Sequence, residues 1–426
     1  MKKYPLDFFT DPVRFIKCHQ EVAHIDDAIL INFLQDELHI LLYEFLNGGD
    51  FNRPARIFFP VFKRLKNNTG RAYFFAGLLK NKYPLDNVLT LLKKTKENKD
   101  ILPYKKAEMI SQLYSDFYPF LNKLKLKTNE RSVNIGNAYE YWREKVTDIG
   151  YLKPVIEARD FIYNEMKSHL LGAYLHGSLS TLDYKKNWSD FDALIIIREE
   201  TITNPKKLLQ LRNLSLKITP KFFAIDPFQH HGFFIIAEQA MAYYPQHFFP
   251  FELFKFSTDL LGANGALTFK ERDSFVERIN ILINFCNYIK KLKTGKKIPR
   301  NIFEYKCLFH SLLLLPALYL ESQGKYFYKK FSFAEAKKQF TQKEWDIIET
   351  VSRIRNAWEP VKFIPDSFFG LVSIYNPFLT HLVYKYGKIN LPAGPRKICS
   401  RDNLIEGAYR MASAVMSKLE LEYPNE

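Results

Sequence analysis

The segment Asp190-Phe191-Asp192-Ala193-Leu194-Ile195-Ile196-Ile197 limits most strongly what this chain can become. Read as a strand, it is polar at its head and apolar for the rest. Its period of two puts Asp190 and Asp192 on one face and turns Phe191 toward a core. Two carboxylates that close need compensation, and a divalent cation supplies it. Upstream, Leu171–His176 reads as a short buried strand that delivers the chain to Gly177-Ser178. There glycine permits a tight turn and close approach to a ligand. A helix after the turn would offer unpaired N–H groups to an anion such as a triphosphate, and Ser178 adds a hydroxyl donor.

The neighbouring segments build an α/β core of roughly 100 residues around this pair. A helix is expected from about Pro154 to His169. Asn204-Pro205 opens another, with Asn as N-cap and Pro at the first helical position. Phe222–Ile225 reads as a third strand ending at Asp226-Pro227. Phe233–Ala237 reads as a fourth after the turn Gln229-His230-His231-Gly232. Adjacent histidines on a strand point to opposite sides, so at most one of His230 and His231 is expected to face a site, with His231 the candidate and a turn role the plainer expectation.

On either side the chain reads helical. From Asp11 to about Tyr118 apolar residues recur at three and four, with breaks at Asn47-Gly48-Gly49, Asn67–Gly70 and Tyr83-Pro84. The polar stretch Leu124–Asn137 reads as a linker. Past Asn264-Gly265 helical periodicity returns from about Phe269 to Lys291, from Phe303 to Gln323 and from Leu404 to Leu421. Two capping boxes, Ser332-x-x-Glu335 and Thr341-x-x-Glu344, each predict a helix start. The expected organisation is a helical domain over 1–130, a core over 131–265 and a helical domain over 266–426. The fold class is α+β.

Charge and cysteines narrow the function. Sixty-two Lys+Arg against 46 Asp+Glu leave a formal charge of +16, which suits a polyanionic partner or substrate. Cys18, Cys286, Cys307 and Cys399 show no zinc or disulfide spacing, so reduced thiols in the cytoplasm are expected. The N-terminus has no apolar signal region, and the apolar run near Ser311–Leu320 is half a membrane span, so no membrane association is expected. Thr294-Gly295-Lys296-Lys297 has Lys290 where a phosphate loop needs its first glycine, and there is no G-x-G-x-x-G.

Gly177-Ser178, a short spacer, then Asp190-x-Asp192 on a hydrophobic strand resembles the nucleotidyltransferase superfamily of the DNA polymerase β fold. The resemblance covers residues 155–240 and, loosely, the helical bundle after them. It implies that Gly177 and Ser178 hold the triphosphate of an NTP. It also implies that Asp190 and Asp192, with a third carboxylate from the next core strand, bind Mg²⁺ or Mn²⁺ in a two-metal site. Asp226 fits that third place and the role of general base, with Glu238 in reserve. Many small members carry an arginine soon after Gly-Ser. Here the positions read Leu179-Ser180-Thr181, which shifts phosphate binding to Lys185 or Lys186, or to Lys325, Lys329 and Lys330 from the C-terminal domain. Arg353, Arg355 and Trp358 read as helix packing. The implied activity is transfer of a nucleoside monophosphate to a hydroxyl of a small molecule, an RNA or a protein, releasing pyrophosphate. The alternative is a non-catalytic nucleotide-binding regulator, such as one half of a toxin–antitoxin or defence pair. The N-terminal helices are left to a protein partner or substrate.

Overall fold

The computed structural model describes residues 26–48, 83, 85–97, 101–262, 265–296, 298–358, 377–387 and 389–420. The expected turn at Asn67–Gly70 and Cys18 lie outside them. The chain is mostly helical with mixed sheets, an α+β architecture. Five strands form the central sheet: β2 (Asn137–Ala138), β3 (Leu170–His176), β4 (Asp192–Ile197), β5 (Phe234–Ala237) and β6 (Thr258–Asp259). Their spatial order is β2-β6-β3-β4-β5. β3 runs antiparallel to β4 and β6, while β4 and β5 are parallel. A separate ribbon pairs β1 (Asn129–Val133) with β7 (Leu267–Glu271).

Strand periodicity decides which side chain meets which layer. Ala193, Ile195 and Ile197 join the larger core with Ala173, Leu175 and Ile235. Leu194 and Ile196 pack on the other face among Tyr174, Ile236, Tyr244, Phe249 and Phe254. β4 is therefore buried on both sides, which accounts for its unbroken apolar run.

The larger core is covered by helices from both ends of the chain. α1 (Asp27–Asn47), α2 (Asp86–Glu97) and α3 (Pro103–Lys123) precede the sheet, and α4 (Ile149–Phe161) leads into β3 through a further short helical stretch. After β4 comes α5 (Pro205–Ile225), which packs on α1, α3 and α4. The C-terminal layer comprises α6 (Phe275–Lys293), α7 (Ile302–Ser322), α8 (Lys329–Lys337), α9 (Gln342–Asn356), α10 (Pro377–Tyr386) and α11 (Arg401–Lys418).

Four sequence expectations are corrected here. Phe222–Ile225 is the last turn of α5, because Leu208, Leu211, Leu214, Ile218, Phe222 and Ile225 keep one buried stripe at spacings of three and four. The expected linker Leu124–Asn137 contains β1 and the first residue of β2, β1 itself crosses the boundary drawn at 130, and β7, its partner, lies past the one drawn at 265. The segment from Phe269 begins as β7, with the helix starting only at Phe275. Thr341 caps α9 with Glu344 in a reciprocal capping box. Ser332 instead lies within α8, and its hydroxyl donates to the Lys329 carbonyl.

α7 is long and apolar enough to cross a membrane by length and hydropathy, yet 72% of its most apolar stretch is buried inside the fold. Its apolarity is that of a core helix packed on α6, α8 and α9. α1, at the other end of the chain, is fastened to the sheet by backbone-like bonds. The Phe233 N–H donates to Asn47 Oδ1 at 2.8 Å, and Asn47 Nδ2 donates to the Phe233 carbonyl at 3.0 Å. Gln35 Nε2 donates to the Tyr243 carbonyl at 2.8 Å, and Arg272, fully buried, pairs with Asp36 at 2.7 Å.

Candidate active site

At the end of β3 the backbone turns at Gly177 with φ +68°. A Cβ at that position would sit 2.4 Å from Asp192 Oδ2, so glycine is required by both conformation and space. The helix after it is a single turn, Gly177–Ser180, too short for the dipole argument the sequence invited. It is pinned from beneath: Trp142 Nε1 donates to the Leu179 carbonyl, and Ser180 Oγ donates to the Phe256 carbonyl, both at 2.8 Å.

Across from this turn stands the carboxylate pair, with His176 directly opposite Asp192 in the β3–β4 ladder. Phe191, between them, is held by a side chain acting as a strand. Its N–H donates to Gln229 Oε1 at 2.9 Å, and Gln229 Nε2 donates to its carbonyl at 3.1 Å and to the His231 carbonyl at 2.9 Å. One glutamine thus registers the Asp190–Asp192 segment against the His230–His231 segment. The Phe191 ring packs on Phe222 in the core.

The residues from Asp226 to Phe233 are not strand, so strand alternation does not apply and both histidines face the site. His230 Nδ1 is 3.4 Å from Asp190 Oδ2. His231 Nε2 is 3.0 Å from Asp192 Oδ1 and 3.9 Å from Asp190 Oδ2. α7 adds two groups one turn apart. His310 Nδ1 lies 3.3 Å from Asp190 Oδ2, and Lys306 Nζ lies 3.5 Å from Asp190 Oδ1 and pairs closely with Asp226.

Burial opposes the Asp190 charge, but His310, Lys306 and His230 outweigh it and hold the carboxyl well below the usual range. Burial pushes the Asp226 carboxyl well up against the pull of Lys306, and the neighbouring Asp190 charge adds to the rise. Burial drives His230 well down and His176 to about 4. For His231 burial is outweighed by the hydrogen bond and charge of Asp192, which raise it above the ordinary histidine value.

A cavity of about 600 Å³ opens on this constellation, a size typical of small-ligand sites. Gly177, Ser178, Asp190 and Asp192 line it, as do Lys329, Lys330 and Arg355 on the C-terminal side. Burial, then Arg355, bring the Lys329 ammonium down to about 8. Lys330 pairs with Asp183 at 2.7 Å. α1 contributes Asp36, His39, Ile40 and Tyr43, so the N-terminal region forms part of the wall.

Other expected site residues fall elsewhere. Lys186 pairs with Asp148, Lys185 donates to the Asn356 carbonyl, and neither lines the cavity. Asp226 caps the end of α5 rather than a strand, is fully buried and binds Lys306 behind the cavity wall. Glu238 accepts from the Glu199 N–H, and Lys325 is exposed. Arg355 lines the cavity instead of serving only as helix packing. Sequence reasoning missed Gln229, Lys306 and His310. The signal for the last two was there, two basic residues four apart on a largely apolar helix.

Comparison with family models, with curated proteins and with solved structures gives no match for this chain.

Proposed function

We propose that this cavity transfers a nucleoside monophosphate from an NTP to a hydroxyl acceptor. The observation that carries the reading is one cavity lined by the Gly177-Ser178 turn, the Asp190/Asp192 pair and, facing them, Lys329, Lys330 and Arg355. The donor set fits one metal ion rather than two. Asp190 and Asp192 with the adjacent imidazoles suit a single cation, whereas Lys306 already stands between Asp190 and Asp226. When bound, that ion compensates phosphate charge beside the carboxylates.

The chain's own residues then divide the work. Lys329, Lys330 and Arg355 bind phosphate oxygens, and the bare Gly177 backbone lets them approach beside the Ser178 hydroxyl. The acceptor oxygen attacks the α-phosphorus as the bond to the bridging oxygen breaks and pyrophosphate leaves. Asp192, the more exposed of the pair at 23% against 6% for the Asp190 side chain, takes the acceptor's proton. The net charge of +16 disfavours a cationic small acceptor and favours an anionic one such as RNA.

A second reading, a nucleotide-binding regulator without turnover, is favoured by the Lys306 ammonium between Asp190 and Asp226. One assay separates the two. Wild type and Asp192→Ala are incubated with each α-labelled NTP, Mg²⁺ or Mn²⁺, and total RNA, a small-molecule extract or protein lysate. Label transfer that depends on Asp192 supports the enzyme and names the acceptor class. Equal transfer by the variant overturns the site, and nucleotide binding without pyrophosphate release selects the second reading.

A further inference from the structure

We propose that Asp190, His230 and His231 form a mononuclear site for a divalent transition metal of the Mn²⁺-to-Zn²⁺ series, in preference to Mg²⁺. The site rests on the proposed function only in sharing its cavity, and it needs no nucleotide.

The geometry begins with the division of labour at Asp190. Oδ1 faces Lys306, while Oδ2 faces imidazole nitrogen on three sides: His230 Nδ1 at 3.4 Å, His231 Nε2 at 3.9 Å and His310 Nδ1 at 3.3 Å. One ligand atom from each of Asp190, His230 and His231 lies within 4.8 Å of the other two. Bonds of about 2.0–2.2 Å at tetrahedral or octahedral angles separate ligand atoms by roughly 3–3.6 Å. The His230–Asp190 distance already lies in that range and the His231–Asp190 distance is a few tenths of an ångström beyond it, while the outer limit of 4.8 Å for the set asks the two histidines to close by at most about 1–2 Å around an ion. All three are buried at the cavity wall, so an ion reaches them from the cavity.

The surroundings aim the donors. His231 Nδ1 is 3.0 Å from the Gly232 carbonyl, and donation there leaves Nε2 for a metal. The Gln229 amide group is committed to the Phe191 and His231 carbonyls, so the segment carrying both histidines is fixed relative to Asp190. Asp192 Oδ1, 3.0 Å from His231 Nε2, is the next oxygen in reach on the open side. Two imidazoles and one carboxylate on one side of an ion leave positions for substrate oxygen, and this donor set suits Mn²⁺, Fe²⁺, Co²⁺ and Zn²⁺. Mg²⁺ prefers an octahedron of oxygens and keeps its waters.

The test uses the full chain, stripped with chelator and free of nucleotide, titrated separately with Co²⁺, Zn²⁺, Mn²⁺ and Mg²⁺. Calorimetry reads stoichiometry, and visible absorption reads Co²⁺ with nitrogen ligands. The expected result is one equivalent of Co²⁺ or Zn²⁺ bound at least 100-fold more tightly than Mg²⁺. His230→Ala and His231→Ala are each expected to weaken Co²⁺ by tenfold or more and change its spectrum, with circular dichroism checking the fold. If a variant does not fold, competition of Mg²⁺ against Co²⁺ on the wild type decides. Equal affinity for Mg²⁺ and Co²⁺, or an unchanged Co²⁺ spectrum in both folded variants, overturns the site. Neither result touches label transfer, so the metal site and the proposed function fail separately.

Discussion

Gln229→Leu tests whether one buried side chain registers the Asp190–Asp192 segment against the His230–His231 segment. Gln229 is fully buried and makes three bonds of 2.9, 3.1 and 2.9 Å to the backbones of Phe191 and His231. Leucine keeps most of the volume and offers no partner, stranding one N–H and two carbonyls. Each buried orphan costs about 1–3 kcal/mol. The three share one loop that relaxes together, so the expected loss is about 3–5 kcal/mol rather than the full sum. Because Asp190 and Asp192 flank Phe191, their spacing loosens with it, and Co²⁺ affinity should fall at least tenfold. Gln229→Glu retains the acceptor for the Phe191 N–H but removes both donor bonds and adds a charge near Asp190, so it should be no milder. Urea denaturation followed by circular dichroism measures the stability, and Co²⁺ titration the site. A stability within about 0.5 kcal/mol of wild type, with metal affinity unchanged, would refute the reasoning.

Two further perturbations probe other parts of the site. Gly177→Ala forces an L-residue to φ +68° and sets its Cβ against Asp192 Oδ2. It should cost about 1–2 kcal/mol and lower nucleotide affinity, measured by thermal unfolding and by equilibrium binding of a labelled NTP; an unaltered affinity would count against the turn as a phosphate site. Burial raises the Glu321 carboxyl on the cavity wall to about 7, against a smaller pull from Arg278. Its folded value lies above the unfolded one, so its contribution is full below about pH 4.5 and is lost as pH rises through 7. Relative to Glu321→Gln, the wild type should lose stability over that window, with about 3 kcal/mol as the ceiling. Parallel pH profiles for the two proteins would contradict this.

Local patterns were legible in the sequence wherever a residue's fate depends on its own neighbours along the chain. β3, the apolar run of β4, the N-cap at Asn204, the capping box at Thr341 and the Gly177 turn all follow from periodicities and backbone preferences that act over a few residues. Asp190 lies ahead of β4, which begins at Asp192, so the two carboxylates share a side through the Gln229 contacts and not through strand alternation. Phe222–Ile225 misled because an aromatic, apolar tetrad fits a strand and a buried helical turn equally well. Only the packing of α5 on α1, α3 and α4 chooses between them. The partners of the carboxylates were beyond the sequence for a different reason. Lys306 lies 116 positions from Asp190, and α7 brings it there by burying an apolar helix, not by any local rule. Asp226 drew its expected role from a strand that is in fact the last turn of α5, and its environment, with Lys306 beside it and no opening to the cavity, is set by the packing that delivers α7 there. Sequence fixes which groups carry charge; the charge each one keeps depends on burial and on partners delivered from other elements, and only the tertiary structure decides those.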